Sequence, residues 1–230
     1  MTTELTKLWH IDSINLFDGI SFEDKKKIET LTNTRKLNKH EYVFFPDDPT
    51  KDIHFLASGR IKVGKHSPNG KENIKAIIYE GEMFGELSLL EKNPDAKRED
   101  FAMAMDEDTI ICSISQDNMA KLLQEHPVLN EKVMKQVTKR LKRTEKRMEA
   151  LMFKDARTRL IDFIKELAQD LGKPIGHEIL VKHRLTHQEI ASITAISRQK
   201  VTTLLNELKN ENLIHLERKS LLIRDISILK

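Results

Sequence analysis

The chain has one cysteine, Cys112, in 230 residues. A single thiol closes no internal disulfide, and it supplies neither a cysteine-ligated zinc site nor an iron–sulfur cluster. Apolar runs are short. None approaches the roughly 18 residues needed to cross a bilayer, so no membrane partner is expected. The first residues, MTTELTKLWHIDSINLF, lack a basic stretch followed by an apolar one, and no signal peptide is readable in them. The reducing cytoplasm is the expected location. Internal repeats and low-complexity tracts are missing too. So are the P-loop, H-E-x-x-H and G-x-S-x-G patterns, which weighs against an enzyme and leaves no catalytic or metal-binding set to name.

What is present is unevenly distributed. Residues 1–126 hold 17 Lys+Arg against 23 Asp+Glu, and residues 127–230 hold 22 against 13. An acidic front and a basic back suggest two tasks, the second on a polyanion. The plainer reading is that KRLKRTEKR alone makes the difference, as a solvated helix face.

Patterning divides the chain in three. Residues 3–30 read as short helices, with Ser21 a cap and Asp24 three residues on. From Arg35, short β-type runs (EYVFF, IHFLASG, RIKVGKH, NIKAIIY, DTIICSI) alternate with turns at Pro46–Pro49, Ser58–Gly59, Pro68–Gly70, Gly81 and Gly85, as in an all-β sandwich, roll or barrel. QDNMAKLLQEH is helical, and Pro127 opens a helix with neither Gly nor Pro up to Phe153. Along it Met134, Val137, Leu141, Thr144, Met148 and Leu151 alternate steps of three and four, a heptad seam flanked by charge. A helix of about 26 residues is about 39 Å long. Such a narrow seam is expected to pair with its counterpart in a parallel homodimer; the competing reading packs it on the chain's own β domain. The boundaries expected are 1–126 for a sensing β domain, 127–154 for the dimerisation helix and hinge, and 155–230 for the remainder.

That remainder begins with the amphipathic ARTRLIDFIKELAQDLG and the strand HEILVKH. Two helices follow, at about 186–194 and 197–210. Thr186 and Glu189 form a capping box, and Ser197 caps the second helix. Val201, Leu204, Leu205 and Leu208 make its core stripe. Subtracting them leaves Arg198, Gln199, Thr202, Thr203 and Asn206 outside, all hydrogen-bonding and none acidic. This is a helix-turn-helix offering a recognition helix to a major groove: Arg takes guanine in a fork, Gln takes adenine, and the helix N-terminus favours phosphate. The hairpin LIHLERKSLLIRDI, with Arg218 and Lys219 at its tip, supplies a wing. The residues expected at double-stranded DNA are Thr186, His187, Ser197, Arg198, Gln199, Lys200, Thr202, Thr203 and Lys219.

With these motifs in this order, the chain resembles the Crp/Fnr transcription regulators from about residue 14 to the end. LASGRIKVGK is similar to their β-roll core, GEMFGELSLL to their phosphate-binding cassette, and LMFKDARTRL to the end of the dimerisation helix and the hinge. The resemblance implies an α+β chain: a cyclic-nucleotide-binding-type β-roll, a long dimerisation helix and a winged helix-turn-helix. It also implies RNA polymerase as a partner. Gly85, Glu86 and Leu87 match the cassette, Glu86 the acid that holds a ribose hydroxyl, Arg98 the cation that pairs a cyclic phosphate, and Thr144 a base-contacting residue. Departures accompany the match. Glu99 and Glu145 stand where a hydroxyl residue is usual, Gln199 and Thr203 replace a Glu and an Arg of the cyclic AMP receptor, and Ala195 replaces a turn glycine. Carboxylates at Glu86 and Glu99 would repel a phosphate at Arg98, so weak binding of cyclic AMP is expected. A cyclic nucleotide, a cyclic dinucleotide, another metabolite and no effector at all remain open, as does haem on one of His10, His40, His54 or His66. The rival from another class is a cyclic-nucleotide-binding regulatory protein that acts through protein contacts only.

Overall fold

The computed structural model describes residues 8–90, 93 and 95–229. The chain divides into two compact units, residues 1–141 and 142–230.

The first unit is a β-roll. After helical residues 8–12 and α1 (Phe22–Leu31) come β1 (Thr32–Leu37), β2 (Tyr42–Phe44), β3 (Asp52–Ser58), β4 (Ile61–His66), β5 (Glu72–Ile78), β6 (Met83–Phe84), β7 (Phe101–Ala104) and β8 (Thr109–Ser115). They form two antiparallel four-stranded sheets, ordered β1-β8-β3-β6 and β2-β7-β4-β5. Strand β3 is buried along its middle because its alternating side chains enter two cores. Ile53, Phe55 and Ala57 join Cys112, Ile114 and the helices; Leu56 joins Phe44, Ile61, Phe84 and Ile111 between the sheets. Two more helices follow, α2 (Gln116–Glu125) and α3 (Pro127–Phe153). Leu129 and Val133 of α3 complete the helix-side core, and Val137 packs against it. That placement corrects the heptad reading at one position: Val137 faces its own roll. Met134 and Leu141 are exposed, as are Thr144, Met148 and Leu151 further along α3.

The second unit contains α4 (Ala156–Leu171), β9 (Gly172–Ile175), β10 (Glu178–Val181), α5 (His187–Thr194), α6 (Arg198–Asn210), β11 (Ile214–Glu217) and β12 (Ser220–Ile223). One antiparallel sheet, ordered β11-β12-β10-β9, carries the wing hairpin. Asp155 caps α4 by accepting from the Thr158 amide at 2.7 Å. Leu160, Ile161, Ile164 and Leu167 of α4 are buried, together with Ile190 and Ala191 of α5 and Val201, Leu204, Leu205 and Leu208 of α6. Arg157 fastens the start of α4 to Glu211, just past α6, through two bonds of 3.0 and 2.6 Å.

Candidate DNA interface and effector cassette

The interface is set by how α5 ends and α6 begins. Thr186 accepts from the Glu189 amide, and the Glu189 carboxylate accepts from the Thr186 amide at 2.7 Å, so the capping box is complete. Ala195 closes α5 in the left-handed region (φ 54°, ψ 42°), where its amide and that of Ile196 both return to the Ala191 carbonyl. Arg159 braces this turn from α4, donating to the carbonyls of Thr194 (3.2 Å) and Ala195 (3.3 Å). Buried Ile196 anchors it, and the Ser197 hydroxyl then caps α6 by accepting from the Lys200 amide at 3.2 Å. The result is an exposed first turn of Ser197, Arg198, Gln199 and Lys200, with Thr203 and Asn206 exposed above it. Residues 198–206 include no carboxylate, so no fixed negative charge within that stretch opposes a polyanion. Thr202 is half-buried, and its hydroxyl lies 2.8 Å from His187 Nδ1. Lys219 is exposed at the wing tip with φ 66°, and its carbonyl accepts from the Arg184 amide at 2.8 Å.

The cassette lies in the first unit. Gly81 (φ 84°) and Gly85 (φ 77°) turn the chain, and a Cβ on Gly85 would meet the Arg98 guanidinium at 2.8 Å. Arg98 is only 7% exposed. It donates to the carbonyls of Gly85 and Asp52, lies 4.2 Å over the Phe44 ring, and among the described residues has no partner for its buried Nε. Burial lowers its pKa, because the charged form loses hydration. Glu86 pairs with Arg140 of α3 at 2.5 Å, and Arg140 also donates to the Met83 carbonyl at 2.7 Å. Gln136, one turn earlier on α3, accepts from the Met83 amide at 3.1 Å. Leu87 is 81% exposed.

Glu99 requires a correction. Its side chain is 80% exposed and paired with Lys65 at 2.6 Å, and that lysine holds its carboxyl below the usual range. With Glu86 neutralised by Arg140, neither carboxylate stands uncompensated beside Arg98. The charge argument for weak cyclic AMP binding therefore falls. Thr144 and Glu145 are exposed residues of the second unit and form no part of the cassette's own unit. The residues that do form it fit an anion: a buried cation with an unsatisfied N–H, beside a turn whose glycine leaves no room for a side chain.

Residues 34–126 match the cyclic nucleotide-binding domain, and residues 158–230 match the Crp-like helix-turn-helix domain. Over 183 residues the chain is 32% identical to the "CRP-like cAMP-activated global transcriptional regulator" of Mycobacterium tuberculosis, spanning 80% of each protein. The chain belongs to the Crp/Fnr family. The "Global nitrogen regulator" of a Nostoc species is 30% identical over 186 residues, covering 80% of this Crp/Fnr regulator and 82% of that protein. A CooA variant from Carboxydothermus hydrogenoformans has the same fold, with a TM-score of 0.78 and 25% identity over 94% of this chain and 97% of that one. Family membership makes this chain a DNA-binding transcription regulator and not an enzyme, and nothing in the comparisons favours the reading with protein contacts only. Among the described residues no helix is long and apolar enough to cross a membrane, and no group of three or more His, Cys, Asp or Glu could hold a metal ion.

Sequence reasoning missed three contributors: Arg140 and Gln136, which grip the cassette backbone, and Arg159, which braces the turn; His54, named there only among haem ligands, lies under Gly85 with its Cδ2 3.3 Å from where a Cβ would be. A signal existed for the first two. Both are one turn from Val133 or Val137 on the roll-facing side of α3.

Proposed function

We propose that this Crp/Fnr regulator is a cytoplasmic homodimer joined along α3, that it binds a pseudo-palindromic operator with two copies of α6, and that an anionic effector in the cassette sets its affinity. The acid-free, exposed first turn of α6 carries the DNA reading. Arg198 and Gln199 read bases; Thr186, His187, Ser197 and Lys200 meet the backbone near two helix N-termini, and Lys219 meets it from the wing. Two recognition helices related by a two-fold axis reach successive major grooves about 34 Å apart, so half-site centres lie about 10–11 base pairs apart. The exposed stripe of Met134, Leu141, Met148 and Leu151 supports the dimer. RNA polymerase is the further partner that the family resemblance supplies.

The effector class is a cyclic nucleotide. Arg98, buried with an N–H that no described residue accepts, and the turn at Gly85 support a phosphate there, and the M. tuberculosis relative is named as cAMP-activated. Selection from random duplexes should return a two-fold symmetric motif. Arg198→Ala should cost about 1–3 kcal/mol at one base position, whereas Lys219→Ala should weaken all sequences alike. A non-symmetric single half-site would refute the dimeric reading. Calorimetry with cyclic AMP should give binding that Arg98→Gln abolishes; binding that survives this change would move the ligand away from the cassette.

A further inference from the structure

Reading the sequence alone places His187 and Thr202 separately at the DNA. The structure joins them. His187 opens α5, Thr202 lies in the second turn of α6, and Nδ1 of one is 2.8 Å from Oγ1 of the other. The same hydroxyl donates to the Arg198 carbonyl, one turn back, at 3.1 Å. Thr203 makes a matching bond to the Gln199 carbonyl, also at 3.1 Å, but remains exposed. A threonine hydroxyl has one proton and two lone pairs. Held between Arg198 and His187, the Thr202 hydroxyl has its proton committed within the protein, to the carbonyl or to the ring, and has none to offer a base edge. His187, pinned at Nδ1, retains Nε2 for an outside partner. The residue is half-buried, and among the described residues Nε2 makes no bond to protein.

We propose that His187 donates from Nε2 to a DNA phosphate and that Thr202 is its positioning residue, not a base reader; this rests on the DNA-binding reading above. The hydroxyl suits the task because it both donates and accepts. It accepts from Nδ1–H of an imidazolium or donates to Nδ1 of a neutral ring, the two states in which Nε2 carries the hydrogen that a phosphate oxygen accepts; a neutral ring protonated at Nδ1 instead would leave Nε2 bare and hold no phosphate. The first turn of α5 adds its own partial positive charge. Arg198 and Lys200 are the exposed cations in the first turn of the helix packed against it. Glu189, the nearest acid on α5, is drawn back onto the cap, where its carboxylate accepts from the Thr186 amide at 2.7 Å and hydroxyl at 2.9 Å. The specificity of α6 therefore comes from Arg198, Gln199 and Thr203, while Thr202 acts on every sequence equally.

The test uses the full-length protein on its selected operator and on unrelated duplex DNA, at several salt concentrations. Thr202→Val keeps the shape and removes the hydroxyl. It should weaken both duplexes by the same factor, about tenfold, the scale of a lost hydrogen bond to a charged group. Base preference should be unchanged, and the salt slope should fall by about 0.9 for each phosphate that the protein ceases to neutralise. Thr202→Ser should restore binding. His187→Ala should give the same loss, and combining it with Thr202→Val should add nothing. A changed base preference in Thr202→Val, or losses that multiply in the double variant, would overturn the proposal while leaving the DNA-binding reading intact. Failure of the wild-type protein to bind any duplex would remove both.

Discussion

His54 lies between the rings of Phe44 and Phe84, at centroid distances of 5.6 and 5.1 Å, with Nδ1 2.7 Å from the Ser113 hydroxyl. Burial there, followed by the nearby charges of Arg98 and Arg35, lowers its pKa from 6.5 to about 3. The folded ring thus stays neutral where the unfolded one already takes a proton. Stability is fully present above about pH 6.5 and is lost as pH falls from there towards 3, by up to about 1.4 kcal/mol per pH unit. Urea titrations from pH 7 to pH 4 should show this acid limb, and His54→Gln, which keeps an amide for Ser113, should flatten it. An unchanged slope would mean that other groups govern acid unfolding. Ala195 is a second strained point. A Cβ in the left-handed region costs about 1–2 kcal/mol, partly offset by the unfolded-state entropy that a glycine would add. Ala195→Gly should raise stability by about 1 kcal/mol in the same titrations; a loss would show that Arg159 and Ile196 already hold this turn without strain.

Helix α3 offers different faces to different neighbours. Leu129, Val133 and Val137 belong to the roll, whereas Leu141 (56% exposed) and Met148 (59%) face solvent in the single chain. Replacing Leu141 and Met148 by Lys should give monomers in sedimentation and abolish operator binding. Val137→Ala should leave the dimer intact and cost the roll about 1 kcal/mol, less than for a fully buried aliphatic. A dimer that survives both lysines would place the interface elsewhere. These faces also mark how far the sequence could be read. The seam's period of 3.5 was legible, but not which of its members turns inward, because Val137 sits where two apolar stripes meet. Strands β2, β3, β4, β5, β8, β10, β11 and β12 were legible from their β-branched and aromatic runs. Strand β1, TNTRKL, was not: its four middle residues are exposed polar side chains, and its pairing with β8 is a backbone matter. The two-residue β6, the fully buried β7 and the β9 strand with Pro174 in it have no alternation to detect. In the helix-turn-helix, the caps Thr186 and Ser197 and the apolar stripe of α6 could be assigned because local chemistry fixes them, whereas buried Ile196 in the turn and half-buried Thr202 could not. The cassette could not be completed in this way. Arg140 lies 54 residues from Glu86, and Glu99, next to Arg98 in sequence, extends to Lys65 instead.

At the scale of the whole chain, charge and function run only partly in parallel. The acidic excess lies in residues 1–126; of the 22 basic against 13 acidic residues in 127–230, the winged helix-turn-helix of residues 155–230 holds 13 against 10, and α3 with the hinge holds the other 9 against 3. Each phosphate neutralised releases counterions, so operator affinity should fall by about a thousandfold or more between about 50 and 200 mM salt when about six or more phosphates are engaged. A flat dependence would contradict an interface built on Arg198, Lys200 and Lys219. Cys112, finally, has 0% exposure at the centre of the helix-side core, with its sulfur 3.6 Å from the Thr34 hydroxyl. As the chain's sole thiol, it is a built-in clock for the first unit. An alkylating reagent added in excess can reach it only when that unit opens, so the labelling rate reports roll opening separately from anything the recognition helices do. A nucleotide held in the cassette should slow that clock, and operator DNA supplied without it should leave the tick unchanged unless the two units exchange energy.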